Sequence, residues 1–300
     1  MSILHSKRSG MYIYEQTKIM MKDEKVSFIE TKKSNQNFIS IPIKNTQFLV
    51  LTSGCSITSA AVKRLSDEGV CIIFASGGGT PVFMTPNNEY RPTEYMQSWA
   101  KVFFDEDLRL LAAKKLQFNR INLIKKEYKT KDFLLNINIE FLLDKYSEKI
   151  DKATNNFQLL SAEGDFTKNM YGILAREFGF MNFKREHGKR DDMDIVNSYL
   201  DYGNYLAYGM AASALYAMGI SYSFPVNHGK TRRGALVFDI ADVIKDSIIM
   251  PIAFYSAFLG EVDSDFRKRC VGNIHKTKSS DVMFSAIKDI CEIGDSSCFV

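Results

Sequence analysis

The spacing of apolar residues changes near residue 90, and this change constrains the fold more than any other feature of the chain. Before it, short β-prone runs alternate with turn residues, which predicts a small β-rich N-terminal domain at 1–90. After it, apolar residues recur at helical intervals, which predicts a larger all-α-helical domain at 91–300. The turn-rich segment Pro86–Pro92 marks the predicted boundary. The predicted fold class is therefore α+β.

The expected elements follow from the same patterns. The predicted strands, in an antiparallel meander or a small sandwich, are 11–14, 18–21, 26–29, 38–41 and 48–51. We expect a helix capped by Ser56 or Thr58 and ended by Gly69 to follow them. The predicted helices of the second domain are 95–126, 133–146, 157–178, 193–218 and 235–259.

The bulk composition sets limits on partners and compartment. A net charge of +4 permits a nucleic-acid partner but requires that any basic surface be local. The five cysteines are scattered without CxxC spacing, which favours the reducing cytoplasm over a disulfide framework or a zinc ribbon. The least charged stretch, 202–227, falls short of the roughly 20 apolar residues that a spanning helix needs. We expect no membrane partner and interpret this stretch as a central buried helix.

Three acids lie close together in the C-terminal third. Asp239, Asp242 and Asp246 stand at i, i+3 and i+7, so a helix would place them on one face of an otherwise apolar segment. Like charges on a buried helix are costly without a counter-charge, which a divalent cation could supply. The other interpretation of this spacing is a polar stripe whose acids pair with Lys245 and Arg232.

His228 precedes these acids and is followed by a cluster of cations. An imidazole together with carboxylates suits Mn²⁺ and, less ideally, Mg²⁺, although a lone histidine is also often structural. Lys230, Arg232 and Arg233 are candidate DNA-binding residues, because arginine forks and lysine ammonium groups bind phosphate oxygens. A second basic segment contains Lys184 and Arg185, which could hold a DNA strand or form a connector. Without the acids, an ordinary basic surface loop would be the favoured interpretation of Lys230, Arg232 and Arg233.

The run His-Gly-Lys-Thr-Arg-Arg-Gly-x-Leu-Val-Phe-Asp-x-Ala-Asp-x-Ile-Lys-Asp, which begins at His228, resembles the metal-site signature of the CRISPR-associated integrase family of spacer acquisition. The segments Asp201–Gly209 and Glu89–Tyr95 are similar to the I-F subtype of that family in particular. The resemblance covers essentially the whole chain. It implies a β-rich N-terminal domain followed by an α-helical catalytic domain.

The resemblance also implies a site. Glu163, His228 and Asp242 fall on the family's catalytic metal ligands, which hold Mg²⁺ or Mn²⁺, and Asp239 falls on a supporting acid that lies near the metal without binding it. The family's reaction joins the 3′-hydroxyl of a prespacer DNA fragment to a phosphodiester at the edge of a CRISPR repeat, and the same site cuts branched DNA. The implied partners are DNA, a second copy of the chain, and a small ferredoxin-like CRISPR-associated protein, which in this subtype is fused to a helicase-nuclease. A non-catalytic DNA-binding scaffold and a stand-alone metal-dependent nuclease of branched DNA remain alternatives.

Overall fold

The structure is a computed structural model, and it describes residues 3–4, 7–30, 37–75, 81–84, 92–186, 194–229 and 234–296. It confirms the predicted fold class, since a β-sheet region comes first and a predominantly helical region follows. The strands are β1 (Gly10–Tyr14), β2 (Thr17–Lys22), β3 (Lys25–Glu30), β4 (Ile39–Ser40), β5 (Thr46–Leu51), β6 (Ser56–Ile57), β7 (Cys71–Phe74) and β8 (Val82–Met84). The helices are α1 (Ser59–Asp67), α2 (Glu94–Phe104), α3 (Glu106–Thr130), α4 (Glu140–Lys152), α5 (Asn156–Glu177), α6 (Ile195–Ala217), α7 (Ala235–Ile244), α8 (Met250–Phe258), α9 (Asp263–Lys276) and α10 (Ser279–Ser296).

The strands form two four-stranded sheets, in the orders β1-β5-β7-β8 and β4-β3-β2-β6. The prediction of an antiparallel meander is correct for β2, β3 and β4 and wrong for the first sheet, where β1, β5 and β7 run parallel. Parallel neighbours need a crossover connection. Here β2 to β4 lie between β1 and β5 in the chain, and α1, capped by Thr58 as predicted, lies between β5 and β7.

The first sheet is buried on both faces. Phe48 and Val50 of β5 belong to a core cluster that continues into the helices, whereas Leu49 and Leu51 belong to a second cluster with α1 and the other sheet. Burial of both faces explains why β5 is apolar almost without alternation. One hydrophobic core therefore crosses residue 90, and the division into two domains at that point stays a prediction.

Two predicted helices are each divided. The helix expected at 95–126 breaks at Asp105, whose carboxylate accepts hydrogen bonds from the backbone N–H groups of Asp107 and Leu108 and so starts α3. The helix expected at 235–259 is interrupted by a π-helical turn, Lys245–Ile249, just before Pro251. Proline has no N–H and clashes with the carbonyl of residue i−4, which a wider turn relieves.

Helix α6 lies at the centre, as its low charge predicted, but it ends at Ala217 rather than near residue 227. Its glycines allow close packing, because a Cβ at Gly203 would meet Ile249 and one at Gly209 would meet the ring of Phe48. Within the described residues, no helix is both long and apolar enough to span a bilayer.

Candidate metal centre and adjoining groove

The loop between α6 and α7 is held by one carboxylate. Asp239, on the first turns of α7, accepts hydrogen bonds from the backbone N–H groups of Val226 (2.7 Å), Asn227 (3.1 Å) and His228 (2.9 Å). It also lies 2.6 Å from Nδ1 of His228. The Asp239 side chain is fully buried. These four contacts therefore stabilise its negative charge in place of water, and they fix the position of the loop.

The contact with Asp239 orients the imidazole of His228. In the neutral imidazole, donation of Nδ1–H to that carboxylate leaves the lone pair on Nε2, which lies 3.9 Å from Oδ2 of Asp242. This separation is too long for a hydrogen bond, and both atoms would be available to hold a cation. Burial by itself lowers the pKa of His228, but the hydrogen bond to Asp239 and the charge of Asp242 outweigh it, so the pKa lies above its ordinary value.

Asp242 lies one turn further along α7 and is paired with a lysine. The Nζ atom of Lys245 donates to Oδ1 of Asp242 at 2.6 Å. Burial alone would raise the pKa of Asp242, but the charges of Lys245 and His228 outweigh burial and lower the pKa to about 2. Asp242 is therefore a carboxylate anion with one oxygen on Lys245 and the other facing the imidazole.

Glu163 reaches the same place from α5 and is held by donors from two other elements. Nη1 of Arg120 lies 2.9 Å from Oε1, while Nε2 of Gln117 (3.2 Å) and Nδ2 of Asn227 (3.0 Å) donate to Oε2. Burial raises the pKa of Glu163 above its ordinary value, with the charge of Arg120 opposing that rise. The proximity of Asp242 raises the pKa further, because two carboxylates share one site.

Arg120 is a functional candidate that the sequence interpretation missed. Its guanidinium is 3% exposed and pairs with both Glu163 and Asp246, the third acid of the spaced triplet. The alternative interpretation of the triplet named Lys245 and Arg232 as partners. Lys245 does pair with Asp242, Arg120 pairs with Asp246, and Arg232 lies outside the described residues. The sequence did contain a sign of this role, because Gln117 and Arg120 are polar residues at positions of the apolar stripe of α3.

The residues present fit a divalent cation in their chemistry. Two carboxylates and an imidazole with a free Nε2 are ligands that Mn²⁺ and Mg²⁺ accept. Over the described part of the chain, however, no three His, Cys, Asp or Glu side chains converge closely enough to form a metal site. Instead Arg120 and Lys245 neutralise the carboxylates. A cation would have to compete with these groups, and most directly with Lys245 for Asp242.

A groove of about 1140 Å³ runs along α5 and is lined by both Glu163 and His228. Helix α5 forms much of its wall, where the exposed residues Gly164, Lys168, Gly172 and Arg176 are spaced four residues apart. The exposed Asp165 also lines the groove, and it is paired with Lys149. A Cβ added at Gly164 or Gly172 would meet nothing within 4 Å, so the backbone is open to a close approach there. An alternation of glycine and cation over about 18 Å matches the shape and charge of a nucleic-acid backbone.

The predicted DNA-binding residues differ in their surroundings. Lys184 is exposed and lines the groove. Arg185 also lines it, but its guanidinium is paired with Asp201 and donates to the side chain of Asn197 (2.9 Å), so its charge is already used within the fold. The other three predicted residues, Lys230, Arg232 and Arg233, lie outside the described residues.

Comparisons with known proteins show what the whole chain is similar to. A family model described as CRISPR associated protein Cas1 matches residues 11–288. The CRISPR-associated endonuclease Cas1 of Pseudomonas aeruginosa (strain UCBPP-PA14) is 36% identical over 309 residues, with 97% of this chain and 95% of that protein covered. A TtCas1–DNA complex has a similar fold, with a TM-score of 0.67, 19% identity, and coverage of 94% of this chain and 91% of that chain. A casposase bound to an integration product has a TM-score of 0.72, 13% identity, and coverage of 96% and 90%.

Proposed function

Since this chain belongs to the CRISPR-associated Cas1 family, we propose that it is a metal-dependent DNA endonuclease and integrase of spacer acquisition. In the proposed reaction, a 3′-hydroxyl of a short DNA fragment attacks a phosphodiester at the edge of a CRISPR repeat, and the fragment is inserted into the array. The observation that carries the proposal is that Glu163 and His228 line one groove, while Oδ2 of Asp242 lies 3.9 Å from Nε2 of His228.

In this proposal Glu163, His228 and Asp242 hold Mg²⁺ or Mn²⁺. Such a cation, when bound, polarises a phosphodiester and stabilises charge on the leaving oxygen. Asp239 keeps Nδ1 of His228 protonated, so that Nε2 can act as a ligand. Arg120 holds Glu163 in place from the interior. Lys245, released from Asp242, would remain near the site as a positive charge.

We propose DNA as the partner of the groove along α5. Lys168, Arg176 and Lys184 are all exposed and line the groove, so they supply positive charge to it. Lys230, Arg232 and Arg233 stay predicted DNA-binding residues, since they directly follow His228 and Gly229 in the chain. The TtCas1–DNA complex and the casposase bound to an integration product, both of similar fold, support a nucleic-acid substrate.

The finer assignments are part of the same proposal. They are the I-F subtype, a homodimer, and a small ferredoxin-like CRISPR-associated partner fused to a helicase-nuclease. The homodimer and the ferredoxin-like partner rest on the family resemblance, whereas the subtype and the fusion rest on the sequence segments that resemble that subtype.

Replacement of the three proposed ligands tests the function. We expect Glu163→Gln, His228→Ala and Asp242→Asn each to abolish the joining of a short duplex with free 3′ ends to a repeat-bearing plasmid in Mn²⁺ or Mg²⁺. Each variant removes either a carboxylate charge or the imidazole that would hold the cation, while leaving most DNA contacts in place. The joined products are measured on a gel, and DNA binding is measured separately. The matched controls are His275→Ala on α9 and Glu177→Gln at the end of α5, both exposed positions outside the groove.

Two alternatives give different outcomes in this experiment. The ion pairs of Asp242 with Lys245 and of Asp246 with Arg120 favour a non-catalytic DNA-binding scaffold, in which the acids are structural. If the parent protein binds DNA but neither joins nor cuts it with any added metal, the scaffold is the correct function. If the parent cuts branched DNA but forms no joined product, the protein is a stand-alone metal-dependent nuclease.

A further inference from the structure

Asn227 carries a buried polar atom without a partner, on a side chain that contacts a proposed metal ligand. The residue is only 4% exposed, and its side-chain Oδ1 is buried and accepts no hydrogen bond. Its Nδ2 donates to Oε2 of Glu163 at 3.0 Å, and His228 is the next residue in the chain. A buried carbonyl oxygen left unpaired destabilises the fold, so it calls for an explanation.

A flip of the Asn227 side-chain amide would not give this oxygen a hydrogen-bond donor. If its two ends were exchanged, Oδ1 would face the Glu163 carboxylate, oxygen against oxygen. The backbone is also fixed, because the N–H groups of Val226, Asn227 and His228 all donate to Asp239. Three other unpaired buried side-chain atoms occur in the described residues, on Tyr128, Ser256 and Arg267. No hydrogen bond joins any of these three side chains to a proposed metal ligand.

We propose that Oδ1 of Asn227 is a fourth protein ligand of the divalent cation, beside Glu163, His228 and Asp242. This inference rests on the proposed metal site and goes beyond the three ligands that the family resemblance implies. An amide carbonyl is a hard, neutral oxygen, the type of ligand that Mg²⁺ and Mn²⁺ prefer. Three oxygen donors and one nitrogen also favour these cations over Zn²⁺, which prefers nitrogen and sulfur in a tetrahedron.

A purely positioning role for Asn227 has to be separated from a ligand role. In a purely positioning role, Asn227 would affect metal binding only through the hydrogen bond that it donates to Glu163. Gln117 provides the matched control, because it donates to the same Oε2 atom at 3.2 Å. Its own Oε1 is already satisfied by the hydroxyl of Tyr146 (2.6 Å) and by Arg120 (3.3 Å), so it has no oxygen to offer a cation.

The experiment measures Mn²⁺ binding to the full, metal-stripped chain by calorimetry, without DNA. We expect Asn227→Ala to weaken binding about tenfold or more, and Gln117→Ala to weaken it much less. Asn227→Asp, which keeps an oxygen at this position, should bind Mn²⁺ at least as tightly as the parent. Mn²⁺ should also raise the melting temperature of Asn227→Asp more than that of the parent, because the cation relieves repulsion between two carboxylates.

The outcomes distinguish this inference from the proposed function. If Asn227→Asp binds as weakly as Asn227→Ala, the residue acts by donating to Glu163, and the ligand assignment is wrong while the metal site stands. Equal losses in Asn227→Ala and Gln117→Ala would lead to the same conclusion. If the parent binds no Mn²⁺, or His228→Ala binds as tightly as the parent, both the metal site and the ligand assignment are wrong. Circular dichroism and melting in EDTA check folding, with Asn227→Ser as a second variant should Asn227→Ala fail to fold.

Discussion

At the residue scale, the site is organised around buried charges that are paired with one another. Arg120 touches Glu163 and Asp246, and Lys245 touches Asp242. Breaking one partner of such a pair costs about 3–5 kcal/mol, because it leaves an uncompensated buried charge. Conservative replacements such as Glu163→Gln and Asp242→Asn also remove a charge, but each keeps an oxygen that can accept from Arg120 or Lys245, so they disturb the fold less than truncations do.

The pH dependence of stability tests the contact between Asp239 and His228 in metal-free protein. The folded pKa of His228 lies above its ordinary value of 6.5. The stability that the pair contributes is therefore fully present below that value and is lost as the pH rises through the folded pKa. We expect the free energy of unfolding of the parent, relative to His228→Asn, to be larger at about pH 5.5 than at about pH 9. Urea denaturation in EDTA measures it, and a difference that grows with pH would contradict the assignment.

At the element scale, two features of the helices shape the site. The π-helical turn Lys245–Ile249 follows α7 directly and carries two charged residues, Lys245 against Asp242 and Asp246 against Arg120. Helix α5 contributes Glu163 and, on one exposed face, an alternation of glycine and cation. That four-residue spacing is visible in the sequence and identifies a second DNA-binding candidate surface that the basic clusters alone do not indicate.

Substitutions at Gly172 test the groove as the path of DNA. We expect Gly172→Ala to raise the free energy of unfolding by about 0.5–1 kcal/mol, since the position is helical and exposed. We expect Gly172→Glu to weaken DNA binding at least about threefold at low salt, because its carboxylate repels phosphate. Titration of a labelled duplex at two salt concentrations measures the affinity. If the Glu and Ala variants bind equally well, the DNA follows a different path.

At the scale of the whole molecule, the two halves share one core. Helix α6 packs against β5, where the hydroxyl of Ser213 donates to the carbonyl of Gln47 (3.2 Å) and Gly209 lies against Phe48. Because the first sheet is buried between the helices and the second sheet, its stability depends on both sides. We therefore expect the molecule to unfold as one cooperative unit.

A change at Gly209 tests this coupling. A Cβ there would lie 2.4 Å from Cε2 of Phe48, so we expect Gly209→Ala to lower the free energy of unfolding by about 1–3 kcal/mol. Hydrogen exchange should show the loss in both β5 and α6, and Phe48→Leu in the same chain should recover part of it. The matched control, Gly272→Ala on α9, adds a methyl group in open space and should be neutral or stabilising. If exchange in β5 is unchanged, the sheet folds independently.

The sequence by itself determined the kind and order of most elements and brought His228, Asp239 and Asp242 to attention. These depend on residues close together in the chain, such as the alternation that marks a strand or the i, i+3 spacing along a helix. Only the tertiary structure decided which distant residues meet. It paired β1 with β5 in parallel and placed Arg120 against Asp246, 126 residues away, and Asn227 against Glu163, 64 residues away. Local periodicity specifies which face of an element is buried, whereas the partners of a buried charge depend on how the elements pack, and no local pattern carries that information.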